Sequence, residues 1–310
     1  MKSSNIGGQA VLEGIMMRSG DDYAVAVRTT EGKIEVQKEV FKSVAGNMTF
    51  LLKIPFVRGV FGFIDSLSLG MKTLMMSAEY FEEEEKPVTE EEIKKKKKQD
   101  DLFMTLTMIL SIVLAVAIFM ILPYFMSVAL KSVISSYKIR TIIEGFLRIL
   151  IFLIYILAIS RMDDIQRTFM YHGAEHKCIN CIEHGLPLTV ENVRKSSRLH
   201  KRCGTSFLFL VMIVSVVLLM LVQVESPLMR VVVRILLIPV IAGVSFEILK
   251  LAGRSENFLV NLISKPGLCI QKVTTKEPDD SMIEVAIQAV EAVFDWRAYE
   301  DENFGTEGHL

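Results

Sequence analysis

Four long apolar stretches restrict this sequence to folds that can place them in a lipid bilayer or a large core. They are residues 102–126, 142–160, 204–222 and 231–249, each close to the roughly 20 residues that a helix needs to cross a bilayer. The first and the third contain no charged residue. A buried core helix could account for one such stretch. Four together predict a mainly α membrane protein with about four transmembrane helices.

Composition narrows the class of protein further. The 310 residues include 35 basic and 36 acidic side chains, and 51% of the residues are hydrophobic. Such a chain is not typical of a disordered or collagen-like protein. It also lacks the overall basic field that attracts nucleic acid, so the lipid bilayer is the partner that the composition indicates.

The loops between the apolar stretches predict the orientation of the chain. The segment before the first stretch ends in five consecutive lysines, residues 94–98. Loop 161–203 contains eight basic residues, whereas loops 127–141 and 223–230 contain three and one. Cytoplasmic loops carry an excess of lysine and arginine. We therefore expect both termini and loop 161–203 on the cytoplasmic side of the cell (inner or plasma) membrane.

The first 45 residues have a different character from the rest of the chain. Tyr23–Arg28 and Ile34–Val40 alternate in polarity around Glu31-Gly32, which predicts a β-hairpin. The glycines of Ile6-Gly-Gly and Glu13-Gly14 are expected in turns. Residues 1–45 are thus predicted to form a small β-rich cytoplasmic segment.

Three further segments complete the predicted organisation. Residues 46–81 are apolar but interrupted by charges, which predicts amphipathic interfacial helices and leaves a fifth span as an alternative. Residues 82–101, a glutamate run followed by lysines, predict a charged linker. Residues 250–310 form a cytoplasmic tail, in which the apolar spacing from Met282 to Trp296 predicts a helix.

Histidine and cysteine are concentrated in loop 161–203. This loop is about a seventh of the chain but holds four of its five histidines and three of its four cysteines. Both residue types are ligands of zinc and of other transition metals. The loop therefore predicts a divalent metal site, which mixed nitrogen and sulfur ligands make most suitable for zinc, with iron left open. The residues are His172, His176, His184, His200, Cys178, Cys181 and Cys203.

The centre of the loop resembles an inverted metalloprotease signature. His172 and His176 are four residues apart, so that on a helix both imidazoles point the same way, and Glu175 lies between them. In such enzymes the histidines hold zinc, which lowers the pKa of water to about 7, and the glutamate accepts the proton. This predicts His172 and His176 as ligands and Glu175 as the catalytic base. Candidates to complete the ligand set are Cys181, His200, Cys203, Glu247 and Glu256.

The cysteines support a second metal arrangement. Cys178-x-x-Cys181 and His200-x-x-Cys203 together offer three thiolates and one imidazole. Four protein ligands make a closed site, which is structural because no position is left for a substrate. A third interpretation is that the histidines are ordinary surface residues and the thiols are merely buried.

Charged residues inside the apolar stretches suggest another class of function. Glu144 and Arg148 are four residues apart in the second stretch, and Glu247 lies near the end of the fourth. Ionisable groups inside a membrane are costly and often mark transport pathways. A structural ion pair is the simpler interpretation, and a small-molecule transporter is the alternative.

Five motifs resemble the bacterial YqhQ family. They are GGQAVLEGIMM at 7–17, HGAEHK at 172–177, LTVEN at 188–192, RCGTSF at 202–207 and PGLCIQKVTTKEPDD at 266–280. The resemblance covers nearly the whole chain. It implies a multi-pass membrane protein of a family of unknown function whose members are labelled as predicted metal-dependent enzymes. The positions that match the family's metal motif are His172, Glu175, His176, Cys181, His200 and Cys203.

These observations lead to one functional hypothesis and two alternatives. The hypothesis is a metal-dependent hydrolase at the cytoplasmic face, acting on a membrane-proximal or lipid-linked substrate. Its bases are the H-x-x-E-H pattern and the position of the loop between two predicted spans. The first alternative is a non-enzymatic assembly or regulatory protein with a protein partner in the membrane and a structural metal. The second is the transporter.

Overall fold

The computed structural model describes residues 2–46, 48–81, 90–222, 224, 226–252 and 257–305. A small antiparallel sheet comes first, and the rest of the described chain is mainly helical, which confirms the predicted class. The strands are β1 (Gly7–Val11), β2 (Gly14–Ser19), β3 (Asp22–Arg28) and β4 (Ile34–Val40). The helices are α1 (Val57–Glu79), α2 (Glu90–Val116), α3 (Leu122–Ala129), α4 (Tyr137–Ile159), α5 (Asp163–Glu183), α6 (Val190–Lys195), α7 (Gly204–Leu221), α8 (Pro227–Ala252), α9 (Phe258–Thr274), α10 (Asp280–Val293) and α11 (Trp296–Phe304).

The sheet contains the predicted hairpin and two additional strands. Strands β3 and β4 pair antiparallel with Arg28 opposite Ile34, and Gly32 adopts the positive φ of +82° that the turn requires. The strand order is β1-β2-β3-β4, so β1 is an edge strand. Gly7 and Gly8 lie in β1, and the prediction that they form a turn was therefore wrong. At Gly8 the glycine instead permits a close approach of α5 to β1, described below.

Helix α1 packs on one face of the sheet. Leu69 and Met76 join a buried cluster with Val11, Met16, Tyr23, Val25 and Val27. Its N-terminal end is held to α8, where Arg58 donates two hydrogen bonds to Glu247 at 2.7 and 2.5 Å. Among the described residues, α1 is not one of the helices apolar enough to cross a membrane. Its location at a membrane interface stays a prediction.

Within the described residues, four helices are long and apolar enough to cross a bilayer by length and composition. The second begins five residues before the predicted span, and the third and fourth differ from the predicted spans by at most three residues at either end. The first is longer than predicted because α2 continues through a π-turn, α3 and a short 3-10 turn. The four bounds are Leu102–Ser132, Tyr137–Ile159, Gly204–Leu221 and Leu228–Leu251.

The chain divides into two compact units. The first unit consists of Met1–Phe81, Ile156–Val211 and Pro239–Leu310, and the second consists of Glu82–Tyr155 and Met212–Ile238. In the first unit α5 and α10 pack together with the sheet, and Ile15, Met17, Ile182 and Met282 are among the buried side chains of this core. Each such side chain contributes about 1.5–3 kcal/mol when it is fully buried. This core fixes α5, which carries the predicted metal motif.

The tail helix α10 begins at a well-defined cap. The side chain of Asp279 accepts a hydrogen bond from the Met282 amide at 2.9 Å, as expected of an aspartate before the first helical turn. Met282, Ile283 and Ala286 on its apolar face are fully buried. The helix therefore contributes packing to the first unit.

Candidate metal centre

Helix α5 presents the H-x-x-E-H motif as a single helical turn. The helix runs without interruption over Asp163–Glu183, with Asp163 and Asp164 in its first turn, where carboxylates interact favourably with the helix dipole. His172 and His176 are therefore on one face, and their ring centroids lie 4.4 Å apart. The predicted geometry of the histidine pair thus follows from the helix itself.

Each of these histidines is held by a backbone carbonyl. The Nδ1 of His172 lies 2.9 Å from the carbonyl oxygen of Thr274, and the Nδ1 of His176 lies 2.7 Å from that of Arg198. A carbonyl can only accept, so Nδ1 must carry the proton in both rings. In the neutral rings the lone pair is then on Nε2, the atom free to bind a metal.

Cys203 completes a group of three ligand atoms. Its Sγ lies 3.3 Å from the Nε2 of His172, and the ligand atoms of His172, His176 and Cys203 are all within 4.8 Å of one another. In a tetrahedral zinc site the usual Zn–N and Zn–S distances separate a nitrogen from a sulfur ligand by about 3.5 Å. The donor set and its spacing are therefore suitable for a divalent metal ion.

Glu175 lies beside this group in a buried position. Its Oε2 is 3.5 Å from the Nε2 of His176 and 3.9 Å from that of His172. Burial raises the pKa of the carboxyl, partly offset by nearby positive charge and by a hydrogen bond from the Gly8 amide. A Cβ at Gly8 would lie only 2.9 Å from the Cγ of Glu175 and 2.6 Å from the Met16 carbonyl oxygen. Glycine at this position lets strand β1 cover the carboxylate.

The structure does not bring Cys178 and Cys181 into the three-ligand group. At 100° per residue, Cys178 points about 200° and Cys181 about 140° away from His176 around α5. Both thiols are buried in the core of the first unit, and the Sγ of Cys181 donates to the Leu186 carbonyl at 3.4 Å. Burial raises the pKa of Cys181 to about 12 and raises that of Cys178 as well. These are the properties of protonated core thiols.

His200 is close to the group but has another partner. Its ring centroid lies 5.7 Å from that of His176, and its Nε2 lies 3.5 Å from the Oε2 of Glu183. Burial lowers the pKa of His200 despite this carboxylate. Among the described residues, His200 is not part of the group of mutually close ligand atoms.

Glu183 organises the polar side of the core beside His200. This fully buried carboxylate accepts hydrogen bonds from the Ser4 amide at 2.8 Å, from the Ser4 hydroxyl at 2.9 Å and from Arg202. Burial alone would raise the pKa of Glu183, but the hydrogen bond with His200 and the charge of Arg202 outweigh it and lower the pKa. Glu183 thereby ties the N-terminal segment to α5.

The two glutamates predicted as additional ligands are not found in the three-ligand group. Glu247 lies in α8, outside the three-ligand group, and is paired with Arg58. Glu256 lies outside the described residues.

Sequence reasoning missed Gln271, a residue of α9 that holds the backbone of His200 beside the site. Its fully buried side chain accepts from the His200 amide at 2.9 Å and donates to the His200 carbonyl at 2.7 Å and to Ser206 at 2.9 Å. The nearby Thr274 carbonyl holds His172. Both residues belong to the motif at 266–280, so that motif was the signal, although its chemistry could not be read from the sequence.

The site opens on a cavity of about 900 Å³ within the first unit. Polar side chains from the metal group line one part of it, with Gly8 and Gln9 of β1 alongside. The apolar lining comes from α1 and from the ends of two candidate spans, α7 and α8. The main apolar residues are Phe63, Leu67, Phe207, Leu208, Phe246 and Leu249.

Comparison with known proteins gives a family but no activity. The family model DUF1385, described as "Protein of unknown function", matches residues 54–296. The protein described as "Uncharacterized protein YqhQ" of Bacillus subtilis (strain 168) is 37% identical over 301 residues, which are 96% of this chain and 94% of that protein. No solved structure matches the chain.

Proposed function

The chain belongs to the YqhQ family, as its five motifs predicted, and from its site we propose a membrane-bound, metal-dependent hydrolase. The observation that carries the proposal is the group His172, His176 and Cys203, whose ligand atoms are mutually within 4.8 Å beside the buried carboxylate of Glu175. The substrate that we propose is membrane-proximal or lipid-linked.

Three protein ligands favour a catalytic over a structural metal. Structural zinc sites are usually closed by four protein ligands, whereas catalytic sites use three and keep one position open. When bound, a zinc ion supplies Lewis acidity toward water and toward a carbonyl or phosphoryl oxygen. The carbonyls of Thr274 and Arg198 keep both imidazoles oriented for binding.

Glu175 has the position of a proton-transfer group. Its carboxylate is on the same helical face as the two histidines and lines the cavity. Strand β1 lies directly against it, since a Cβ on Gly8 would be 2.9 Å from the Glu175 Cγ. A positioned carboxylate can take a proton from water and return it to a leaving group, which typically contributes about 10²- to 10⁴-fold to a rate.

The lining of the cavity supports a substrate with a hydrocarbon portion. Phe207 and Leu208 of α7 and Phe246 and Leu249 of α8 belong to helices apolar enough to cross a bilayer. An amphiphile could place its apolar part along these side chains and a hydrolysable group at the polar end, as in most ligand sites. Burial of the hydrocarbon would contribute about 25 cal/mol per Å².

We expect metal binding to depend on His172, His176 and Cys203. Purified wild-type protein should contain about one metal ion per chain by mass spectrometry, and His172→Ala combined with His176→Ala should contain none. His184→Ala is the matched control, because His184 is exposed at the end of the same helix. Loss of metal in that control, or a wild type without metal, would contradict the proposal.

Three further variants separate the alternatives. Cys203→Ser should lower the metal content, whereas Cys181→Ser should leave it unchanged. Glu175→Gln should keep the metal and lower hydrolysis by about 10²-fold or more, measured as products released from a bacterial polar lipid extract. If the wild-type protein holds metal but releases the same products as Glu175→Gln, or none, the structural-metal alternative is favoured instead.

We also propose that both termini and the metal centre are cytoplasmic. Cys269 is exposed, and the other three cysteines are buried. A membrane-impermeant maleimide should therefore label Cys269 only after the cells are permeabilised. Cysteine placed at exposed Ser135, in a Cys269→Ser background, should be labelled in intact cells. The reverse pattern would contradict this orientation.

A further inference from the structure

The second unit contains an ionic cluster formed by Glu144, Arg148 and Arg234. Glu144 Oε1 lies 3.2 Å from Arg148 Nη2, and Glu144 Oε2 lies 2.6 Å from Arg234 Nη2. The exposed fraction of each of the three side chains is only 4–5%. The residues lie in α4 and α8, two of the helices apolar enough to span a bilayer. We call this group the charge cluster.

The charge cluster has one more positive than negative charge. One carboxylate is shared by two guanidinium groups, and arginine stays protonated in proteins. Glu144 is the one acidic residue of the sequence within residues 102–160, 204–222 and 226–246, so the apolar stretches offer no second carboxylate there. An uncompensated charge inside a membrane bundle is costly. The surplus charge therefore requires a counter-charge.

Two donor atoms beside the cluster have no partner within the described part of the chain. They are Arg148 Nε and the hydroxyl of Tyr124, and both are buried. The ring of Tyr124 lies 4.3 Å from the guanidinium carbon of Arg234, which places the tyrosine at the cluster. Ser215 is already used, because it accepts from Arg148 and donates to the Met212 carbonyl at 2.7 Å. The charge cluster therefore has more hydrogen-bond donors than acceptors.

Arg140, a buried arginine of the same unit, finds its hydrogen-bond partners within the protein. It donates to the carbonyl oxygens of Ile134 and Ser135 at 2.5 and 2.8 Å. Backbone carbonyls near the end of a span thus satisfy this guanidinium. Arg148 lies further along α4, where the helix has already used its own carbonyls, and its Nε remains unpaired.

We propose that the charge cluster, together with Tyr124, binds an oxyanion of the phosphate type. A single negative charge balances the surplus guanidinium, and oxygen atoms on one centre can accept from Arg148 Nε and from the Tyr124 hydroxyl. Phosphate oxygens form charge-assisted hydrogen bonds with arginine of the kind seen in bidentate pairs. The oxyanion could come from free phosphate or from the phosphodiester of a lipid headgroup.

The first arm of the test uses inorganic phosphate as the probe. Delipidated full-length protein in dodecyl maltoside micelles, which contain no phosphate group, is titrated with phosphate at constant ionic strength, and the thermal unfolding midpoint is followed. We expect a saturable rise in the wild type, because a ligand that binds the native state stabilises it. Arg148→Gln should weaken phosphate binding on the order of 10- to 100-fold, since a hydrogen bond to a charged group is lost.

Two more variants distinguish a loss of phosphate binding from a loss of folding. Tyr124→Phe removes one hydroxyl and keeps the ring, and it should weaken binding by roughly 2- to 10-fold. Lys138→Gln is the control, since Lys138 is exposed on the same helix as Arg148, and it should behave as the wild type. Equal responses of the wild type, Arg148→Gln and Tyr124→Phe would overturn the proposal.

The second arm identifies the source of the oxyanion. The same proteins in the same micelles receive phosphatidylglycerol in place of inorganic phosphate. Stabilisation of the wild type but not of Arg148→Gln in this arm alone assigns the site to a lipid phosphodiester. Stabilisation by inorganic phosphate alone assigns it to a soluble anion. No cluster-dependent response in either arm would refute the site.

Discussion

Gly173→Ala should destabilise the protein, although alanine is the better helix former. Gly173 lies within α5, where alanine would normally add about 1 kcal/mol. A Cβ here would overlap the backbone carbonyl oxygen of Lys276. That segment cannot move away easily, because the Lys276 amide donates to the Phe169 carbonyl at 2.8 Å. We expect a net loss of about 2 kcal/mol or more, as for other overpacked sites.

The measurement is the thermal unfolding midpoint in detergent, with Gly204→Ala as the matched control. Gly204 is also a helical glycine, but a Cβ there meets no atom within 4 Å. The control should therefore unfold at the wild-type temperature or slightly above, whereas Gly173→Ala should unfold about 4–8 °C lower. Equal behaviour of the two variants would show that the contact between α5 and Lys276 is not tight.

Glu183→Gln should be the most damaging single change to a polar side chain of the first unit. The carboxylate is fully buried and is shared by Arg202, His200 and Ser4. The amide removes the negative charge and leaves the guanidinium of Arg202 without its counter-ion. Removing one partner of a buried pair typically costs about 3–5 kcal/mol. Chemical denaturation should show this loss directly.

The matched control for Glu183→Gln is Glu191→Gln. Glu191 forms an exposed pair with Lys195 at 2.7 Å, and exposed pairs on helices contribute only about 0.3–0.5 kcal/mol. The pH dependence adds a second check. The folded-state pKa of Glu183 is lowered, so its stabilisation is present above the ordinary value of 4.5 and is lost as the pH falls through the folded-state pKa. The difference in the free energy of unfolding between the wild type and Glu183→Gln should become smaller in acid. A difference that stays constant would contradict this account.

Local sequence patterns were sufficient for the large elements. Apolar length gave the four candidate spans, because crossing a bilayer sets a minimum number of apolar residues. Alternation around Glu31-Gly32 gave the hairpin of β3 and β4. In both cases the sequence pattern and the structural element that it predicts involve the same neighbouring residues.

The ligand set could be predicted only in part. The four-residue spacing of His172 and His176 was readable because both lie on α5. The same helix rules against a shared site for His176 and the Cys178-x-x-Cys181 pair, since those thiols point into the core. Recognising this required knowing that the helix continues through residue 183. The metal itself stays a proposal.

The sequence by itself determined that this chain has four bilayer-length helices, a hairpin near its start and one helical turn that presents two imidazoles and a carboxylate together. Only the tertiary structure decided that the Cys203 Sγ lies within 4.8 Å of the ligand atoms of both histidines, and that Gly8 and the Thr274 carbonyl lie against this group from distant segments. The physical reason is the range of the interactions. Helix and strand periodicity act between near neighbours, whereas these contacts join residues more than twenty-five positions apart and depend on how α5 packs against β1 and α9.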